Sequence, residues 1–166
     1  MSRYRPPASK SSPYITPRGH RDLSDELRYL WKEKRPEVTL KVAEAAALGD
    51  RSENAEYIYG KRQLGEIDRR IRHLAKRLDD LTVVDRPPRD TSKVFFGAWV
   101  SVETDAGETR RYRLVGPDEF DREKAFISVD SPLARVVLGK RVDDEVHLTV
   151  HGEESTLCIV DITYET

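Results

Sequence analysis

Gly49-Asp50-Arg51-Ser52-Glu53-Asn54-Ala55-Glu56-Tyr57-Ile58 separates two long helical patterns by only a few residues, and that spacing decides the fold. On its C-terminal side Leu64, Ile67, Ile71, Leu74, Leu78 and Leu81 recur at alternating spacings of three and four. This is a heptad seam, the signature of coiled-coil packing. Tyr57 and Gly60 extend its register backwards. On the N-terminal side the pattern begins near Asp22 or Ser24; Leu23, Leu27 and Leu30 carry it, and Val38, Val42, Ala45 and Leu48 resume it. Pro36 interrupts the run and predicts a kink or a break, because proline lacks the backbone N–H and crowds the preceding turn. Gly49 follows Leu48 as a C-terminal stop. A connection this short folds the helices back antiparallel. About 28 residues per arm at about 1.5 Å each make a rod roughly 40 Å long. Asp50 and Glu53 then stand at or beside its tip, with no walls to enclose an active site.

The 29 basic and 30 acidic residues of this 166-residue chain nearly cancel. Any nucleic-acid surface must therefore come from local segregation of charge. Charged residues make up 36% of the chain, against roughly 25% in an ordinary soluble domain, as a projecting rod would require. The one cysteine, Cys158, excludes an intramolecular disulfide and reads as a buried small hydrophobe. No secretory leader and no membrane-length apolar run is present, so a cytoplasmic, membrane-free protein is expected.

Composition divides the chain into four parts. Residues 1–19, rich in Ser, Pro and Arg, read as a mobile tail. Residues 20–84 form the hairpin, and residues 85–93, around Arg86-Pro87-Pro88-Arg89, a linker. After it the apolar period changes to two, and residues 94–166 read as a small antiparallel sheet domain with one helix. Strands are expected over 94–103, 109–115, 126–129, 145–150 and 156–164. Ser131-Pro132 supplies an N-cap and a first-turn proline for a short helix over 133–138. Phe95, Phe96 and Trp99 read as core. His147 and His151 lack a third ligand for zinc. Gly65 sits mid-helix with no evident reason.

Spacing alone favours a structural role for the tip acids. Asp50-x-x-Glu53 has the form of a capping box, with Ser52 a competing cap. The chemical alternative is a partial magnesium shell, since that ion is often held by one or two carboxylates plus substrate phosphates. On the second helix Arg62, Arg69 and Lys76 fall at one heptad position opposite the seam, with Arg72 beside them and Lys61 and Arg70 flanking it. This is either a solvated coat or a stripe for RNA phosphates.

The stretch Gly49-Asp50-Arg51-Ser52-Glu53-Asn54-Ala55-Glu56-Tyr57 resembles the tip motif of the Gre family of bacterial transcript-cleavage factors. Three further blocks in order carry the same resemblance, nearer to the GreB branch than to the GreA branch. They are Tyr29-Leu30-Trp31-Lys32-Glu33-Lys34-Arg35-Pro36-Glu37-Val38, Lys93-Val94-Phe95-Phe96-Gly97-Ala98-Trp99-Val100 and Ile127-Ser128-Val129-Asp130-Ser131-Pro132-Leu133-Ala134-Arg135. The likeness runs from about Tyr14 onward. It implies an α+β protein, a coiled-coil hairpin followed by an FKBP-like domain. It implies a monomer that is no enzyme itself but enters the secondary channel of RNA polymerase. There the acids matching Asp50 and Glu53 would share a magnesium ion with the polymerase, with Ser52 positioning substrate or water, while backtracked RNA is hydrolysed. Magnesium would bind only in that complex. The resemblance also implies that the basic patch, here Arg62, Arg69, Arg72 and Lys76, engages the extruded 3′ RNA end. Asp130, Ser131 and Pro132 would lie where the second domain docks on the channel rim. A channel regulator that does not promote cleavage, and a prolyl isomerase with a coiled-coil arm, are the competing readings.

Overall fold

The computed structural model describes residues 9–165; residues 1–8, within the expected tail, and residue 166 lie outside them. The chain divides into a helical unit, Arg18–Leu81, and a second unit made of the chain through Pro17 and from Thr82 onward.

In the helical unit α1 (Pro17–Tyr29) runs through a π-helical turn (Leu30–Lys34) into α2 (Arg35–Ala47), and α3 (Ala55–Asp80) returns. The helix starts at Pro17, ahead of the expected Asp22 or Ser24, because proline's fixed φ suits a first helical position. Pro36 does not break it. The turn before the proline widens instead, and the Arg35 N–H donates to the Leu30 carbonyl five residues back. Leu23, Val38 and Ala45 bury themselves with Ile67 and Leu74 of α3. Ion pairs tie the arms, among them Arg35 Nε to Asp68 at 2.8 Å and Arg70 to Glu26 at 2.7 and 3.0 Å. Both are partly solvated and so contribute little stability. Gly60 marks a close approach of α3 to α2, since a Cβ there would lie 2.8 Å from Val42 Cγ2. Gly65 is half-buried rather than exposed, and a Cβ there meets only the end of the Arg69 side chain at 3.8 Å.

The second unit is a five-stranded sheet. Its strands are β3 (Trp99–Thr104), β4 (Thr109–Val115), β5 (Phe126–Ser128), β6 (Glu145–Val150) and β7 (Glu153–Thr163), in the order β5-β4-β3-β7-β6. It is mixed rather than antiparallel, because β5 pairs with β4 in parallel. The chain between them is too long for a hairpin and carries a 3-10 turn, Phe120–Arg122. Val94, Ala98, Val100, Val102, Leu114 and Ile159 form the core under α4 (Pro132–Val137), which contributes Ala134 and Val137. Phe95 is 36% exposed, and Phe96 and Trp99 are only half-buried, so smaller residues fill the place expected for the aromatics. Cys158 is likewise half-buried. Among the described residues no helix is long and apolar enough to cross a membrane.

The sheet unit recruits part of the expected tail. Tyr14–Ile15 forms β1, parallel to β2 (Thr82–Val83), and Ile15 is fully buried. The strand lies so close to Gly116 that a Cβ there would stand 2.2 Å from the Tyr14 carbonyl. Glu119, 1% exposed, accepts from Thr16 N at 3.1 Å, Thr16 Oγ1 at 3.0 Å and Gly116 N at 3.3 Å. Burial raises its carboxyl above the ordinary glutamate range, although these donors pull the other way.

Gly65→Ala should stabilise the hairpin by up to about 1 kcal/mol through helix propensity. Gly60→Ala should destabilise it by about 1 kcal/mol net, since crowding a β-branched neighbour outweighs the same gain; thermal unfolding followed by helicity checks both. Glu119→Ala should cost the sheet unit about 3 kcal/mol by leaving buried N–H groups unpaired. Because the folded carboxyl titrates higher than the unfolded one, wild type's advantage over this variant should be largest below the ordinary glutamate range. It should decline as pH rises through the folded value, as denaturant melts at several pH values would show.

Candidate functional site

A helix leaves its first N–H groups without intrahelical acceptors, and some neighbouring oxygen must serve them. At α3 that oxygen belongs to Asn54. Asn54 is the N-cap (φ −83°, ψ 98°), and its Oδ1 accepts from the Tyr57 N–H at 3.1 Å. Its Nδ2 donates to the Ala45 carbonyl near the end of α2 at 2.7 Å. One side chain thus closes both flanks of the tip. The expected Asp50–Glu53 capping box does not form, and Ser52 does not cap. Sequence favoured the wrong candidate because Asp50, Ser52 and Asn54 are all good caps; the one directly before the first helical residue takes the role.

The loop bends at Gly49, whose φ of +129° suits glycine. Asp50 then makes an Asx turn: its Oδ1 accepts from Ser52 N at 2.9 Å and Ser52 Oγ at 2.8 Å. These two donors, the backbone one foremost, hold the Asp50 carboxyl below the ordinary aspartate range. Among the described residues Asp50 Oδ2 and the whole Glu53 carboxylate have no hydrogen bond or ion pair, and both residues are exposed. Arg51 lies over the Tyr57 ring at 5.6 Å. Leu48, just before the loop, and Tyr59, in the first turns of α3, are 78% and 68% exposed. Two carboxylates are the whole metal-type donor set here, since among the described residues no group of three His, Cys, Asp or Glu comes together.

Arg62, Arg69, Arg72 and Lys76 are all exposed along α3, and among the described residues none makes an ion pair. Their neighbours differ: Arg70 bonds Glu26, and Asp68 bonds Arg35. The stripe is therefore uncompensated within the hairpin. Lys61 and His73 are exposed beside it.

In the sheet unit Ser131 caps α4, accepting from Ala134 N at 3.3 Å, and Pro132 occupies its first turn. Asp130 Oδ2 accepts from the Ser12 N–H at 2.9 Å, so this carboxylate holds the N-terminal segment. Of the three, Pro132 is the exposed residue. A cleft in the same unit is lined by Asp85, Arg86, Phe96, Arg113, Tyr164 and Glu165 among others. Its charged rim is unlike the apolar pocket a prolyl isomerase would need.

Comparison with known proteins fits both units. The family model described as transcription elongation factor, N-terminal, matches residues 13–83, and the one described as transcription elongation factor, GreA/GreB, C-term, matches residues 89–164. The chain is 60% identical over 153 residues to the transcription elongation factor GreB of Yersinia pestis, covering 92% of this chain and 90% of that protein. The Pseudomonas aeruginosa GreB is 55% identical over 164 residues, covering 99% and 98%. Among solved structures, GreA factor homolog 1 of Thermus thermophilus is 23% identical, covering 90% of this chain and 97% of that one, with a TM-score of 0.42. With matches over both units and GreB relatives along almost its full length, the chain belongs to the GreA/GreB family of transcription elongation factors.

Proposed function

We propose that this protein enters the secondary channel of RNA polymerase and stimulates the polymerase's own cleavage of backtracked RNA, so rescuing arrested complexes. One observation carries the reading: both tip carboxylates are left unengaged by helix capping, because Asn54 performs it. Exposed acids beyond the end of a helical rod suit delivery into a site that another macromolecule encloses.

The donor set fits magnesium in part. Carboxylate oxygens are the hard ligands that ion takes, and it is commonly held by one or two of them plus waters and phosphate oxygens. Asp50, through Oδ2, and Glu53 would hold such an ion together with carboxylates of the polymerase and a phosphate of the RNA. An ion bound there supplies a lowered water pKa and charge to steady the leaving oxygen. The chain's own contribution is to hold Asp50 in its turn through the two Ser52 donors, which also lower its carboxyl below the ordinary aspartate range, and to present both acids on a narrow support. The protein is thus a cofactor of the polymerase rather than an enzyme, and it acts as a monomer.

Arg62, Arg69, Arg72 and Lys76 are assigned to phosphates of the extruded 3′ RNA, because they are exposed cations of α3 that make no ion pair among the described residues. Asp130, Ser131 and Pro132 form the second polymerase contact in this reading. Pro132 makes the touch, while Asp130 and Ser131 shape the corner behind it.

A stalled, backtracked polymerase with labelled transcript tests the proposal. Asp50→Ala and Glu53→Ala should each lower magnesium-dependent cleavage at least about tenfold while polymerase binding persists. Acceleration by neither wild type nor variants would leave only a binding regulator. Replacing Arg62, Arg69 and Lys76 together by Ala should weaken action on long extruded RNA. It should also flatten the log affinity–log salt plot by about two units, from roughly 0.7 per lost single-strand phosphate contact. An unchanged salt slope would remove the stripe from the RNA path.

A further inference from the structure

We propose that Asn54 is a positioning residue for the tip carboxylates, and that it acts through its amide donor to Ala45 rather than through its helix cap. The inference rests on the cleavage reading above. Its two bonds do different things. The Oδ1 bond to Tyr57 N lies within one helical turn and serves α3 alone. The Nδ2 bond at 2.7 Å crosses the loop and reaches the opposite arm. Among the described residues no other hydrogen bond joins the end of α2 to the far side of residues 48–54.

The Ala45 carbonyl is a fixed anchor. Ala45 is 3% exposed in the helical seam, and the same oxygen accepts from the Leu48 N–H at 3.2 Å. Asn54 directly follows Glu53 and stands four residues from Asp50. Within the loop the hydrogen bonds that restrain Asp50 come from Ser52, which is itself exposed. The cross-loop bond is therefore what refers the position of both acids to the rigid hairpin. Without it the acids keep their charge and exposure, but the loop that carries them is held at one flank only. A ligand pair that must meet a second half-site tolerates little misplacement, and a displacement of about 1 Å can cost on the order of a hundredfold.

Serine separates the two bonds. It caps about as well as Asn, adds no charge, and is too short to reach Ala45. Asn54→Ser should leave the thermal midpoint of the hairpin and the affinity for backtracked polymerase at wild-type values. Cleavage at saturating factor should fall on the order of tenfold, and the magnesium concentration for half-maximal cleavage should rise. Asn54→Ala should show the same cleavage loss with a lowered thermal midpoint. If Asn54→Ser cleaves like wild type at every magnesium concentration, the cross-loop bond does not position the acids. If its affinity and thermal midpoint fall in step with cleavage, the role is ordinary stability, and the proposal is equally overturned. Wild type and Asp50→Ala run alongside. An inactive wild type sinks the cleavage reading and this inference together. An active wild type, a dead Asp50→Ala and an active Asn54→Ser sink the inference alone.

Discussion

The unpaired N–H groups at the start of α3 set the terms for everything at the tip. A chain reversing direction between two helices must find oxygens for the second helix and donors for the end of the first. Had Asp50 or Glu53 supplied them, the acids would be consumed by local structure, as their spacing suggested. Asn54 carries both a donor and an acceptor on one short side chain, and it serves both helices at once. A carboxylate could accept but not donate, and a hydroxyl is too short to span the loop. The amide at this position therefore releases the acids from helix capping, and Asp50 keeps only its Asx turn with Ser52.

The hairpin behind the tip is a scaffold whose irregularities are confined to places where they do not loosen it. Pro36 is absorbed by one widened turn, with the Arg35 N–H reaching Leu30, so a single helical path continues from Pro17 to Ala47. Gly60 lets α3 approach to within contact of Val42 of α2 just below the tip. These are opposite uses of exceptional residues, one tolerated and one required. The charges divide in the same way. Arg35 and Arg70 are spent on Asp68 and Glu26, which tie the arms together. Arg62, Arg69, Arg72 and Lys76 are not spent, and they share the face away from the seam.

The sequence made the hairpin readable because a heptad seam is a long-range statistical signal, with six apolar positions in agreement from Leu64 to Leu81. The sheet strands were readable for the same reason at period two, and 145–150 agrees with β6 at both ends. Short features were not. A strand of two residues such as Tyr14–Ile15 has no period, and partners far away in sequence, Thr82–Val83 beside it and Glu119 at Thr16, make it part of a unit. Residues 9–16 therefore read as tail when they are sheet-unit structure. The parallel β4–β5 pairing was hidden because an alternating pattern shows which face is apolar and not which way the neighbour runs. At the tip the two acids were visible by spacing, yet their availability was not. That depended on which of three adjacent capping residues won, and the contest is settled by a cross-loop contact to Ala45 that no local pattern encodes.

In the proposed role the incompleteness of the tip is part of how it works. The two carboxylates are exposed, and among the described residues no third metal-type ligand joins them. An ion there would exchange freely with water, so the isolated protein would not hydrolyse RNA it met by chance. Inside a polymerase the same pair would find phosphate oxygens, fixed carboxylates and restricted water, and its affinity would rise only there. Selectivity would then come from the location of the other half-site rather than from any pocket in this chain. That logic places the demand for accuracy on the loop itself, because a half-site that must match a distant partner has no walls of its own to guide it. The bond from Asn54 to Ala45 meets that demand by making two acids on a surface loop as well placed as the helix that Ala45 belongs to.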